Sequence, residues 1–83
     1  MRNNHDASRF ELEENGHLAY ADYELQGGTL TILHVEAATA LRGTGAAGRL
    51  MDAIIKHTQE QNLKIHPICS YAAAYLRKVS EKS

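Results

Sequence analysis

One cysteine, Cys69, stands in 83 residues, so no intrachain disulfide is possible and crosslinks do not offset the small size. Nine Lys plus Arg against ten Asp plus Glu leave a formal net charge of −1. No basic field is therefore available to gather nucleic acid or an anionic membrane, and a phosphate-bearing ligand has to be held locally. No long apolar run or signal-like segment occurs, which with the single thiol gives a cytoplasmic expectation and no membrane partner. His5, His17, His57 and His66 have no Cys or carboxylate partner at zinc-like spacing, so no metal site is expected. Repeats and low-complexity tracts are absent as well.

What remains fits one domain with room for one core and one site. Domains of this size bury only roughly 60% of their unfolded surface, which keeps a homodimer as open as a monomer. Met1–Ser8 is polar without a period and reads as a flexible end. The domain is expected over 9–79, with a flexible tail over 80–83. Phe10 and Leu12 start a two-residue alternation, read as a strand over Arg9–Glu14, and Asn15-Gly16 is a hairpin signal because both residues tolerate positive φ. A second strand follows from His17 to Leu25, a turn at Gln26-Gly27-Gly28, and a third strand over Thr29–Val35. Ala47, Leu50, Met51, Ile54, Ile55 and Thr58 then form one apolar helical stripe that Asn62 stops. Leu63–Ile68 reads as a fourth strand, with Pro67 near its end, and Ser70 as the N-cap of a last helix through Leu76. The order β-β-β-α-β-α implies an α+β, layered α/β fold: a mostly antiparallel sheet, one parallel β-α-β crossover and a final helix.

Gly43 and Gly45 fall between the third strand and the long helix, where the backbone can turn sharply and present free N–H groups at a positive helix end. The bland reading is a glycine-rich turn. The pattern is not a P-loop, since no Lys follows, nor a dinucleotide fingerprint, since Gly48 comes one residue late. His34 alternates with Leu30 and Ile32 and is expected on their face, as a core histidine or as a base beside the loop. Cys69 lies where the fourth strand gives way to a helix, whose dipole would lower its thiol pKa; otherwise it is a small buried hydrophobe. Tyr71 and Tyr75 share one helix face, for packing or for proton donation. Glu13, Glu14 and Glu36 read as solvated strand-end charges, and Lys56, Lys64, Arg77 and Lys78 as surface cations within possible reach of phosphates.

Arg42-Gly43-Thr44-Gly45-Ala46-Ala47 matches the [RQ]-x-x-G-x-[GA] acyl-CoA loop of the GNAT acetyltransferase superfamily. His34-Val35-Glu36-Ala37, Leu41 through Ala46, Pro67-Ile68-Cys69-Ser70-Tyr71 and Ala74-Tyr75-Leu76 together resemble the minimal GNAT-like branch. That branch reads H-T-E-V, L-R-G-x-G-[IV], P-x-C-[SP]-[FY] and A-Y-[IL] in this order. The resemblance runs from Phe10 to Lys78; Val35 and Ala37 stand where the branch commonly has Thr and Val. It implies a GNAT-like fold, acetyl-CoA as cofactor and N-acetyl transfer to an amine, of a small molecule or an exposed lysine. Cofactor contacts are implied at Val35, Arg42, Gly43, Thr44, Gly45, Ala46, Ala47, Cys69, Tyr71 and Tyr75. The implied catalytic set is His34 as general base, Cys69 near or accepting the acetyl group, and Tyr75 as acid for the CoA thiolate. Larger members wall the acceptor site with N-terminal helices that find no counterpart before Phe10, so an open acceptor face is expected. A CoA-binding module without catalysis and a thiol redox protein are the other readings.

Overall fold

The computed structural model describes residues 1–81, and within the segment Met1–Ser8 it has regular structure. Arg2–Asn4 form strand β1, antiparallel to β2 (Arg9–Glu14), and a single 3-10 turn at His5–Ala7 joins them. Polar side chains with no period still find partners across the sheet. Arg2 and Asn4 both donate to the Glu11 carboxylate, and the Tyr23 hydroxyl donates to Asn3 Oδ1 at 2.7 Å. Glu11 is consequently buried, at 7% exposure, with its charge matched.

The hairpin signal holds: Asn15 and Gly16 take φ of 52° and 77° and join β2 to β3 (His17–Gln26) in register from Glu14↔His17 to Arg9↔Asp22. Gly27 and Gly28 turn the chain into β4 (Thr29–Ala37), which pairs antiparallel with β3. Helix α1 (Ala46–Glu60) carries the chain to β5 (Lys64–Pro67), parallel to β4, and α2 (Ser70–Glu81) follows. The result is a five-stranded mixed sheet in the order β1-β2-β3-β4-β5. The tail expected over 80–83 begins inside α2; residues 82 and 83 lie outside the described residues.

Both helices cover one face. Phe10, Ala19, Ala21, Tyr23, Leu30 and Ile32 from the sheet meet Leu50, Met51 and Ile54 of α1 and Ala72 of α2 in one buried cluster. Asn62 ends α1 as expected, through its left-handed φ of 55°. The Leu63 amide donates to the Thr58 carbonyl at 2.8 Å and that of Asn62 to Gln59, a Schellman closure.

Strand β4 departs from simple alternation. Asp22 pairs with His34 but Tyr23 with Ile32, so Leu33 is an extra residue, a β-bulge. Beyond it the faces exchange: Val35 and Ala37 pack toward the core, while His34 and Glu36 turn to the face without helices. The expectation that His34 shares the face of Leu30 and Ile32 is therefore overturned, because one inserted residue reverses a period of two. The parallel ladder with β5 ends at Ile32↔Pro67, leaving five residues of β4, Leu33–Ala37, without a strand partner on that side among the described residues.

Candidate active site

The glycine loop is held open by its own backbone. Gly43 and Gly45 have φ of 78° and 87°, a region in which a side chain is strained, and nothing lies within 4 Å of where a Cβ on Gly43 would stand. The Thr44 hydroxyl donates to the Leu41 carbonyl at 2.5 Å and accepts from the Ala46 amide at 3.3 Å, so Thr44 braces the turn from inside. Helix α1 starts from Gly45, whose carbonyl accepts from the Arg49 amide at 3.0 Å and which offers no side-chain cap. Among the described residues the amides of Gly43, Gly45, Ala47 and Gly48 donate to no protein acceptor. Four free N–H groups at a positive helix end make a nest for an anion. That donor set fits a pyrophosphate.

A cleft of about 270 Å³ opens over this nest, between Ala37, Leu41, the loop and Tyr71. It runs into a groove of about 360 Å³ between the helices, shared at Gly45, Gly48 and Tyr71 and continued by Ala74, Tyr75 and Lys78. The structure thus brings Arg42, Gly43, Gly45, Ala46, Ala47 and Tyr71 to one cleft, with Tyr75 next door. Val35 lies within the partnerless stretch of β4 and packs on the core. A larger concavity, about 700 Å³, lies at the β1–β2 edge beside Arg2 and His17 and holds none of the expected site residues.

Cys69 occupies the N-cap position of α2 that was expected for Ser70: its carbonyl accepts the first helical bond, from the Ala73 amide at 2.9 Å. The thiol is free, half-buried and packed against the core cluster. The Ile32 carbonyl accepts from both the Ile68 and Cys69 amides, at 3.0 and 3.1 Å, and so pins the start of α2 to the residue just before the bulge. Cys69 and His34 are therefore anchored one residue either side of Leu33's bulge, yet their side chains leave from opposite faces. No hydrogen bond joins them among the described residues.

On the open face, His34 Nε2 lies 2.8 Å from Glu36 Oε2. An ionised carboxylate only accepts, so Nε2 is the donor to Glu36, and whenever the ring is neutral Nδ1 is the nitrogen left with the lone pair. Glu36 also takes Arg42 Nη2 at 3.6 Å and the Tyr20 hydroxyl at 3.5 Å. The His34 hydrogen bond, and then its charge, hold the Glu36 carboxyl below the usual range. Glu36 is the residue that sequence reasoning passed over as a strand-end charge; its position two after His34, on the same strand face, was the available signal.

The two tyrosines differ. The Tyr75 hydroxyl donates to Asp52 on α1, and that bond, with a smaller effect of burial, pushes its pKa up to about 12. Tyr71 is pushed up chiefly by burial but is 41% exposed and borders both cavities. The rings stack with centroids 6.2 Å apart. Asp52 was invisible as a partner in the sequence, because the pairing spans two helices.

No cluster of three potential metal ligands occurs among the described residues, and no described helix is long and apolar enough to cross a membrane. No characterised protein matches the sequence closely enough to serve as a relative. Residues 9–83 match the family model described as GCN5-related N-acetyl-transferase, nearly the whole chain. Domains of this kind generally use acetyl-CoA, and the match supports acyltransferase activity in general. The chain belongs to the GCN5-related N-acetyltransferase family.

Proposed function

We propose that this chain binds acetyl-CoA with its pyrophosphate on the amides of Gly43, Gly45, Ala47 and Gly48 and transfers the acetyl group to an amine. The observation that carries the reading is that set of four unpaired amides above two left-handed glycines, at the mouth of a cleft leading to partnerless β4. Acetyl-CoA supplies an acetyl group activated as a thioester. The Thr44 brace fixes the loop, and the open edge of Val35–Ala37 offers main-chain groups to an amide-bearing arm, as an added strand would use them.

His34 Nδ1, with Nε2 committed to Glu36, accepts the proton that an attacking amine loses. Glu36 orients the ring and stabilises its charged form. Because His34 stands on the uncovered face, the acceptor approaches from there, which suits an exposed lysine or a small amine alike. Cys69 reaches the same level from the helix side. Its side chain lacks a hydrogen bond to His34, which favours direct transfer over an acetyl-cysteine route. Tyr75 fits the role of acid poorly. A phenol titrating near 12 is roughly a thousand-fold too weak to protonate a thiolate of ordinary thiol pKa, and its proton is already given to Asp52. Tyr71, facing the cleft, is the better-placed hydroxyl.

The test is calorimetric titration of acetyl-CoA and CoA into the wild-type chain and a Gly45→Glu variant shown folded by circular dichroism. Intact-mass analysis after incubation with acetyl-CoA reads out any adduct. Binding that is lost with Gly45→Glu supports the nest. No binding by the wild type sinks the reading and leaves a thiol redox protein; binding with no amine ever acetylated leaves a CoA-binding module.

A further inference from the structure

A guanidinium stands against the glycine loop from the side of β2. Arg49, in the first turn of α1, sends its side chain to the end of that strand, where Nε and Nη2 donate to the two Glu14 carboxylate oxygens at 2.8 and 2.7 Å. That pairing uses one edge of the guanidinium. The remaining nitrogen, Nη1, is turned to the loop, 3.1 Å from where a Cβ on Gly45 would stand, and donates to no acceptor among the described residues.

The pair matters through its charge. The unpaired amides of Gly43, Gly45, Ala47 and Gly48 carry only partial charges, and their hydrogen bonds depend on geometry. A whole positive charge beside them would act differently, because Coulomb attraction grows with the charge on the ligand. Glu14 is the carboxylate that cancels it. Hydrogen bonds from Arg49 hold the partly buried Glu14 carboxyl below the usual range, so both members of the pair are ionised at neutral pH. The neighbouring acid, Glu13, pairs with Leu18 across the hairpin, and strand alternation puts it on the opposite face of the sheet.

We propose that Glu14 is a specificity-determining residue: by holding the Arg49 guanidinium in a neutral pair, it keeps an uncompensated cation away from the glycine loop. The loop then favours a pyrophosphate diester, with one charge per phosphate, over ligands that carry more charge on the same groups, such as inorganic pyrophosphate and nucleoside di- and triphosphates. This inference rests on the acetyl-CoA reading and adds to it a class of phosphate ligand that the loop disfavours. Arg49 is half exposed, so the effect is modest and shrinks as ionic strength rises.

The experiment is calorimetric titration of acetyl-CoA and of inorganic pyrophosphate, at low salt and without divalent metal, into the wild-type chain, Glu14→Gln, Glu13→Gln and the double variant Glu14→Gln/Arg49→Met, each shown folded by circular dichroism. The expected result is pyrophosphate binding that tightens about three- to five-fold in Glu14→Gln, or is measurable only there, while acetyl-CoA binding tightens less. The ratio of the two affinities returns to the wild-type value in the double variant and does not move in Glu13→Gln. A ratio unchanged by Glu14→Gln overturns the inference, while acetyl-CoA binding by the wild type leaves the loop reading intact. So does a change that Glu13→Gln reproduces, which is an effect of net charge alone, or one that survives the loss of Arg49. Failure of the wild type to bind acetyl-CoA removes the acetyl-CoA reading itself, and this inference with it.

Discussion

Alanine at Gly45 and at Gly48 should move stability in opposite directions, although the two lie three residues apart at the start of the same helix. Gly45 has φ of 87°, where an L side chain costs about 1–2 kcal/mol, and its Cβ would stand 3.1 Å from Arg49 Nη1. The guanidinium is the far end of a flexible chain, but it is held by Glu14 at 2.8 and 2.7 Å, so it yields only by loosening that pair. Restricting the unfolded chain returns about 0.5 kcal/mol, leaving a net loss of about 1 kcal/mol. For a domain of this size that is about 4–8 °C in Tm. Gly48 is inside α1 with ordinary helical φ, and its added methyl meets Tyr75 at 3.5 Å, normal contact. There the helix gains up to about 1 kcal/mol and Tm rises by a similar amount. Thermal unfolding followed by circular dichroism at one pH and protein concentration measures both. If Gly45→Ala is as stable as the wild type, or both variants shift the same way, the left-handed loop that the nest depends on is not the native conformation.

Other outcomes follow from the same contacts. Glu11, Glu14 and Glu36 all sit below the usual carboxyl range, held there by hydrogen bonds from Arg2, Arg49 and His34 respectively. A depressed folded pKa means that the unfolded chain binds protons first, so this stability is complete above about pH 5 and is lost as pH falls through the folded values. Urea midpoints between pH 6 and 2.5 should decline, and decline less in Glu11→Gln. Ile54→Ala, at a fully buried position, should cost about 2–5 kcal/mol in urea unfolding. Asn62→Gly should be close to neutral, whereas Asn62→Ala should lose about 1 kcal/mol, because only the latter strains the φ of 55°. Tyr75→Phe should leave turnover with acetyl-CoA within about two-fold, whereas a loss of a hundred-fold or more, the range of an acid catalyst, would restore Tyr75 to that role.

Local rules carried the fold a long way. Asn15-Gly16, the glycines after Gln26, the stripe from Leu50 to Thr58 and the Asn62 stop each depend on conformations that neighbouring residues dictate, and each is found in place. What escaped depends on contacts distant in sequence. Strand β1 exists because Arg2 and Asn4 meet Glu11, and Asn3 meets Tyr23, none of which leaves a periodic trace. In the site, the glycine loop was legible because positive φ selects glycine directly. The partners Glu36 and Asp52 were not, since a carboxylate near a strand end or on a helix surface looks the same whether solvated or engaged.

The bulge at Leu33 accounts for the arrangement of the whole site. Without it, His34 would follow Leu30 and Ile32 under the helices, where an unpaired imidazole in the core would be costly. With it, Val35 and Ala37 take over the core-facing positions. His34 and Glu36 emerge together on the open face, and β4 diverges from β5 at the residue whose carbonyl anchors α2. One inserted residue therefore separates the helix side, with the glycine loop and Cys69, from the face where His34 and Glu36 meet solvent. A thioester held along the gap could be approached from that second face without displacing anything that holds it. Because Ile32 and His34 already pair with consecutive residues of β3, deleting Leu33 should remove the bulge and leave His34 and Glu36 together on the open face. Circular dichroism and turnover with acetyl-CoA should then change little, whereas a deletion that carried His34 to the core side would show that Leu33 is not the residue in excess.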